Sequence, residues 1–193
     1  MINLENRQVI LASRSPRRKE LLEGLGLKFE VRTKDTDETY PSELSVEEVA
    51  GYISEKKAKA FKGEILDEEV IISSDTIVVL EGCILGKPSD HAEAKEMLKK
   101  LSGKSHQVFT AITIMDNQHI ETHTDVAKVF FKELTDADIS YYVDRFSPLD
   151  KAGAYGIQEW IGFVAVERIE GSFFTVMGLP VHLVYSKLRN WRL

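Results

Sequence analysis

Residues 69–85, EVIISSDTIVVLEGCIL, constrain the fold of this chain more than any other stretch. They read as a long strand, a tight Glu81–Gly82 turn and a short return strand. Within the long strand the apolar runs VII and IVVL are interrupted by SSDT at 73–76. Asp has low strand propensity and is rarely buried without a partner, so Asp75 has two readings. Either it hydrogen-bonds a neighbouring loop, or it is a carboxylate aimed into a cleft from a rigid strand. In the second case it can hold a metal ion or take a proton from water.

Other strands and helices alternate around this one. Residues 7–13 (RQVILAS) read as a buried strand, and Pro16 opens a helix with Leu21, Leu22 and Leu25 on one face, ended by Gly24 or Gly26. Residues 28–33 alternate as a strand, and DTDE at 35–38 is loop-like. Ser45 and Glu48 form a capping box that starts a helix with Val46, Val49, Ala50, Ile53, Ala60 and Phe61 on one stripe, closed by Gly63. Asp90 caps a helix carrying Ala94, Met97, Leu98 and Leu101. A hairpin is expected over 105–116 and 120–132. Thr135 caps a further helix with Ile139, Tyr142, Val143 and Phe146 inward. A Gly-rich loop (151–158), a strand pair (161–169 and 172–177) and a last helix from Pro180 complete the pattern. Strands interleaved with helices, plus hairpins, indicate a mixed-sheet α/β fold. With no repeat, low-complexity tract or linker, the 193 residues are expected to form one domain over 1–193.

Charge narrows the function. The 25 Lys and Arg against 31 Asp and Glu give a net charge of −6, which lacks the global basicity of a nucleic-acid binder. Yet Arg14, Arg17, Arg18 and Lys19 crowd the start of the helix that Pro16 opens. Cations there oppose the helix dipole at a cost of roughly 0.3–1 kcal/mol each. The stretch is either a solvated helix end or an anion site. Ser13 and Ser15 hydroxyls, free helix N–H groups and arginine forks together suit phosphate. No apolar run reaches the ~20 residues needed to span a bilayer, and MINLENRQ lacks a signal-peptide pattern, so a cytosolic protein without membrane partners is expected. The single cysteine, Cys83, excludes an internal disulfide and a Cys-based zinc site.

Two lysines stand out. Lys57 lies on or beside the apolar stripe of its helix, where it either snorkels past the core edge or reaches a phosphate. Lys87 sits in GCILGKPS, which is not a P-loop: three residues separate the glycines and Pro88 takes the Ser/Thr slot. His119 and His123, four apart in a strand-like segment, are too far apart for a shared metal. Neither His106 nor Cys83 has a sequence partner for nucleophilic catalysis. Gly153 and Gly156 give the 151–158 loop backbone freedom near a ligand.

In order, LASRSPRRKELL (11–22), DE (37–38), EKKAKA (55–60), SSDTIV (73–78), LGKP (85–88), LSGKSH (101–106), LDKAGAYGIQ (149–158) and VMGLP (176–180) resemble the Maf family of nucleoside triphosphate pyrophosphatases. Ser74 stands where many members carry Ala. The resemblance implies an elongated mixed sheet with flanking helices, two lobes around a central nucleotide cleft, and a homodimer. It implies cleavage between the α and β phosphates, a divalent cation, and Asp75 as general base. Arg, Thr and Gln at the positions of Arg17, Thr76 and Gln158 mark the subgroup acting on dTTP and UTP, whose members are thought to clear modified pyrimidine nucleotides.

These implications fit the residues. A triphosphate brings about four negative charges, which Arg17, Arg18, Lys57 and Lys87 can answer, with Ser13 on phosphate. Glu38 and Asp75 are the carboxylates expected to hold the cation, and hard oxygen ligands suit Mg²⁺ or Mn²⁺. The Gln158 amide matches the carbonyl and N–H edge shared by uracil and thymine. Two alternatives stand beside this reading: the same chemistry on 7-methyl-GTP or a purine, and a non-catalytic nucleotide-binding regulator of septum formation.

Overall fold

The computed structural model describes residues 7–191. In chain order these form β1 (Gln8–Leu11), α1 (Pro16–Gly24), β2 (Phe29–Val31), α2 (Val46–Lys59), β3 (Glu69–Leu80), β4 (Cys83–Leu85), α3 (His91–Leu101), β5 (Ser105–Met115) and β6 (Ile120–Phe131). Then come α4 (Asp136–Phe146), a single 3-10 turn (Ala152–Ala154), α5 (Trp160–Ala165), β7 (Val166–Glu170), α6 (Phe173–Met177) and α7 (Val181–Arg189). The strand order is β2-β1-β3-β5-β6-β7, with β4 on β3. β1 is parallel to β2 and β3, whereas β4 on β3 and β7 on β6 are antiparallel. The sheet is therefore mixed, with helices around it, as the alternation of elements implied. No helix among the described residues is long and apolar enough to cross a membrane.

The described residues gather into two compact units, each assembled from separated stretches. The first comprises 7–75, 110–125 and 178–191, the second 76–109 and 126–177. In the first, the parallel register sets Ile10 opposite Ile71 and Leu11 opposite Ile72. Ile10, Ile71 and Met115 pack with Ala58 and Phe61 into one apolar cluster. α2 begins where expected: the Glu48 carboxylate accepts from both the N–H and the hydroxyl of Ser45, at 3.0 and 2.7 Å. It ends at Lys59 rather than running to Gly63. Phe61 and Lys62 bond back to Ala58 and Lys59 three residues earlier, which tightens the last turn.

The second unit packs α3, α4 and α5 against strands through Leu98, Leu101, Val129, Ile139, Tyr142 and Ile161. The strand pair expected at 161–169 and 172–177 is corrected here. Residues 160–165 are α5, only 166–170 form β7, and 173–177 are α6. Ile161 and Ala165, four apart, are fully buried while Phe163 is 83% exposed, a helical pattern hidden in letters rich in aromatic and β-branched residues. Gly162 permits that helix. A Cβ there would lie 1.7 Å from the Ile157 carbonyl oxygen. Gly171, at φ +112°, then separates β7 from α6.

Candidate active site

In the first unit, pairing of β1 with β3 ends with the Ala12 N–H donating to the Ile72 carbonyl at 2.8 Å. Beyond that bond lie two polar segments, Ser13–Ser15 after β1 and Ser73–Asp75 in the middle of β3. Ser15 caps α1, its hydroxyl accepting from the Arg18 N–H at 3.5 Å, and Pro16 fills the first turn. No acid occupies that turn. The Ser13 hydroxyl, buried, accepts from the Ser15 N–H at 3.2 Å.

Arg18 turns inward. Its Nε donates to the Gly178 carbonyl at 2.8 Å, and its Nη1 to the Ser74 carbonyl at 2.7 Å and the Ser13 hydroxyl at 3.3 Å. Burial depresses its pKa, Asp75 opposes that effect, and neighbouring Arg17 adds to it. Arg18 therefore braces the middle of β3 and the Gly178 turn. Ser74 joins this brace by donating its hydroxyl to the Gly178 carbonyl at 3.2 Å, a bond that alanine cannot make. Lys19 is exposed and, among the described residues, pairs with Glu23 at 3.8 Å.

Lys57 is decided by α2 and β3 together. Ser54 and Lys57 share a face of α2, and Ser73 and Asp75 share a face of β3. The Ser73 hydroxyl donates to the Ser54 carbonyl at 2.7 Å. One step further, Lys57 Nζ lies 2.6 Å from Asp75 Oδ1 and 2.7 Å from Glu38 Oε1. The lysine does not snorkel outward: its side chain is 16% exposed, and that of Asp75 12%. Two hard carboxylates converge on one cationic position. Among the described residues no group of three or more His, Cys, Asp or Glu side chains is placed to hold a metal ion. A pair of carboxylates that leaves further positions to phosphate and water is the donor set Mg²⁺ commonly takes, so Glu38 and Asp75 fit such a cation.

Thr76, Lys87 and Gln158 belong to the second unit. Thr76 follows Asp75 in β3 and leaves the strand on the opposite face. Lys87 is exposed and follows Gly86, whose carbonyl accepts from the Gly153 N–H at 3.0 Å. That bond ties the Lys87 segment to the loop that ends in Gln158. Gln158 Oε1 is buried with no hydrogen-bond partner among the described residues.

The match of the chain to known proteins rests on more than these contacts. Residues 8–191 match the model of the family described as Maf-like protein. The chain belongs to the Maf family. Among its Maf-family relatives, one from Bacteroides thetaiotaomicron named dTTP/UTP pyrophosphatase is 49% identical over 189 residues, covering 97% of this chain and 98% of the relative. A dTTP/UTP pyrophosphatase from Porphyromonas gingivalis is 47% identical over 192 residues, covering 98% and 96%. One from Flavobacterium johnsoniae is 46% identical over 185 residues, covering 96% and 95%. The solved structure of the Staphylococcus aureus Ham1 protein aligns with 96% of this chain and 100% of that one at a TM-score of 0.55. Its 15% sequence identity makes that a likeness of fold.

Three features escaped the sequence. The hydroxyls of Ser54, Ser73, Thr113 and Thr122 form a chain of contacts of 2.9 to 3.4 Å beneath α2. Their visible trace is the shared spacing of Ser54 with Lys57 and of Ser73 with Asp75. Gly178, inside the matched VMGLP, accepts from both Arg18 and Ser74 through its backbone, which no side-chain pattern reports. Tyr142, Lys151 and Glu159 form a polar cluster in the second unit that residue type alone did not disclose.

Proposed function

We propose that this Maf-family chain is a nucleoside triphosphate pyrophosphatase that hydrolyses dTTP and UTP to the monophosphate and pyrophosphate, with Asp75 as general base. The observation that carries this reading is the Glu38–Lys57–Asp75 arrangement, with distances of 2.7 and 2.6 Å, on the same unit as the Ser13–Arg18 turn. A triphosphate supplies the anion that a cation-rich helix start lacks. Ser13, Arg17 and Arg18 serve its phosphates, with Arg18 also fixing the backbone around them. Thr76, which leaves β3 on the face opposite Asp75, is the residue that the family resemblance links to base choice.

Lys57 holds Asp75 through Oδ1, so Oδ2 is the oxygen that takes the proton from water. The water oxygen attacks the α-phosphorus in line, the bond from that phosphorus to the bridging oxygen breaks, and pyrophosphate leaves with the electron pair. Lys57 and Lys87 offset charge gathering on the departing phosphates. Glu38 and Asp75 would hold a divalent cation, which when bound would neutralise phosphate oxygens further. Gln158 reads the base: its buried Oε1, without a partner among the described residues, suits the ring N–H of uracil or thymine.

The test is turnover of UTP, dTTP, CTP and 7-methyl-GTP with Mg²⁺ and with Mn²⁺, resolving products. Monophosphate and pyrophosphate from UTP and dTTP in preference to the other two are expected. Release of orthophosphate, or a preference for 7-methyl-GTP, would overturn the reading.

A further inference from the structure

We propose that Tyr142 is a positioning residue for base selection, clamping through its hydroxyl the turn from Gly156 to Glu159 that carries Gln158. The inference rests on the reading of Gln158 as the group that recognises the base. Tyr142 is fully buried on α4, and its ring stacks on that of Phe146 with centroids 5.2 Å apart. From that fixed ring the hydroxyl accepts from the Gly156 N–H at 3.0 Å and donates to Glu159 Oε2. Burial raises its pKa, so it remains a donor. The Glu159 N–H donates to the Gly156 carbonyl at 2.9 Å and closes the turn. Glu159 Oε1 lies 3.3 Å from Lys151 Nζ, a buried ammonium also paired with Asp150 at 2.6 Å. The turn is thus held on both sides of Gln158, at Gly156 and at Glu159.

Gly156 is the floor on which the Gln158 amide rests. A Cβ at Gly156 would stand 3.1 Å from Gln158 Nε2 and 2.9 Å from the Glu159 carboxyl carbon. A shift of Gly156 therefore carries the amide with it. Uracil and cytosine differ in the donors and acceptors of one edge, and a reader of that edge discriminates only while its own amide is held in place. None of Tyr142, Glu159 or Lys151 need touch the nucleotide for this.

The experiment compares kcat/KM for UTP and CTP in the wild-type chain and in Tyr142→Phe, Glu159→Ala and Gln158→Ala. Tyr142→Phe keeps the buried ring and removes the clamp. We expect its UTP-to-CTP ratio to fall about three- to tenfold, the scale of one net hydrogen bond, and Glu159→Ala to move the ratio the same way. A purely structural loss lowers the active fraction alike for both nucleotides, so an unchanged ratio in both variants overturns the proposal. Gln158→Ala separates the two layers. If it collapses the ratio while the other variants do not, only the role of Tyr142 is overturned. If it leaves the ratio unchanged, the reading of Gln158 fails, and this inference with it.

Discussion

The Ser73 hydroxyl donates to the Ser54 carbonyl at 2.7 Å, one step of β3 before Asp75 meets Lys57 at 2.6 Å. Helix and strand are therefore joined by two successive polar rungs, the Ser73–Ser54 rung fully buried and the Asp75–Lys57 rung in the proposed site. Ser73→Ala removes the first and leaves the second. Ser73 and Ser54 are fully buried, so the lost bond should cost about 1–2 kcal/mol of stability. Turnover should also fall, because α2 is then free to shift Lys57. Chemical denaturation and UTP kinetics check both; unchanged kinetics in a destabilised variant would confine the serine pair to folding.

Asp75→Asn keeps the size of the side chain and an oxygen for Lys57, but removes the proton acceptor. Turnover should drop at least about 100-fold, the scale of a lost acid–base group, with the thermal melt nearly unchanged. Near-normal pyrophosphate release from UTP would take Asp75 out of the base role.

Much of this was legible in the residues. Asp75 stood out because an acid interrupts an apolar strand, and Lys57 because a cation sat on a helix stripe. The strands at 69–85 and the helices capped by Ser45, Asp90 and Thr135 also declared themselves, because period and capping are local. Residues 160–177 did not. Their helices are short, and their letters (Trp160, Ile161, Phe163, Val164) fit a strand as well as a helix until Gly162 meets the Ile157 carbonyl. The brace of Arg18 on Gly178 was invisible for a different reason: its acceptor is a backbone carbonyl 160 residues away.

His106 should titrate far below an ordinary histidine. Burial lowers its pKa to about 4; its Nε2 meets the Tyr155 hydroxyl at 2.7 Å, and its Nδ1 has no partner among the described residues. The unfolded chain takes up this proton near pH 6.5, whereas the folded chain resists until about pH 4. Folded stability from this group is therefore full above 6.5 and is lost as pH falls toward 4. Following its ring proton shifts by NMR between pH 7 and 4 tests this; a midpoint near 6.5 contradicts it.

Asp116 should act as a clasp for both chain ends of the first unit. Its Oδ2 accepts from Arg7 at 2.6 Å and from the Trp191 indole at 3.0 Å, while Oδ1 accepts from the N–H groups of Gln118 and His119, each at 2.8 Å. Burial pushes its pKa up, but these bonds outweigh that and leave it lowered. Its contribution is present above the unfolded value of about 3.9 and is lost as pH falls through the lower folded value. Asp116→Asn should cost about 2 kcal/mol near neutrality. In acid the gap from wild type should narrow, and a constant gap from pH 7 to 3 counts against the charged clasp.

Gly153→Ala should damage turnover through the loop that links the Lys87 segment to Gln158. Gly153 sits at φ +68°, and a Cβ there would lie 2.9 Å from Val78 Cγ1 while its N–H is bonded to Gly86 at 3.0 Å. Left-handed backbone costs a non-glycine residue about 1–2 kcal/mol, and the clash adds to it, so the loop must move. A displacement near 1 Å at a binding group can cost about a hundredfold in rate. We therefore expect a loss of about ten- to hundredfold in kcat/KM for UTP, with a lower melting temperature. Val78→Ala in the same chain removes the two methyl contacts at 2.9 and 3.1 Å but leaves the Val78 Cβ at 3.1 Å and the backbone strain, so the double variant should recover only part of the loss. Wild-type turnover in Gly153→Ala alone would show that the loop carries no positional demand.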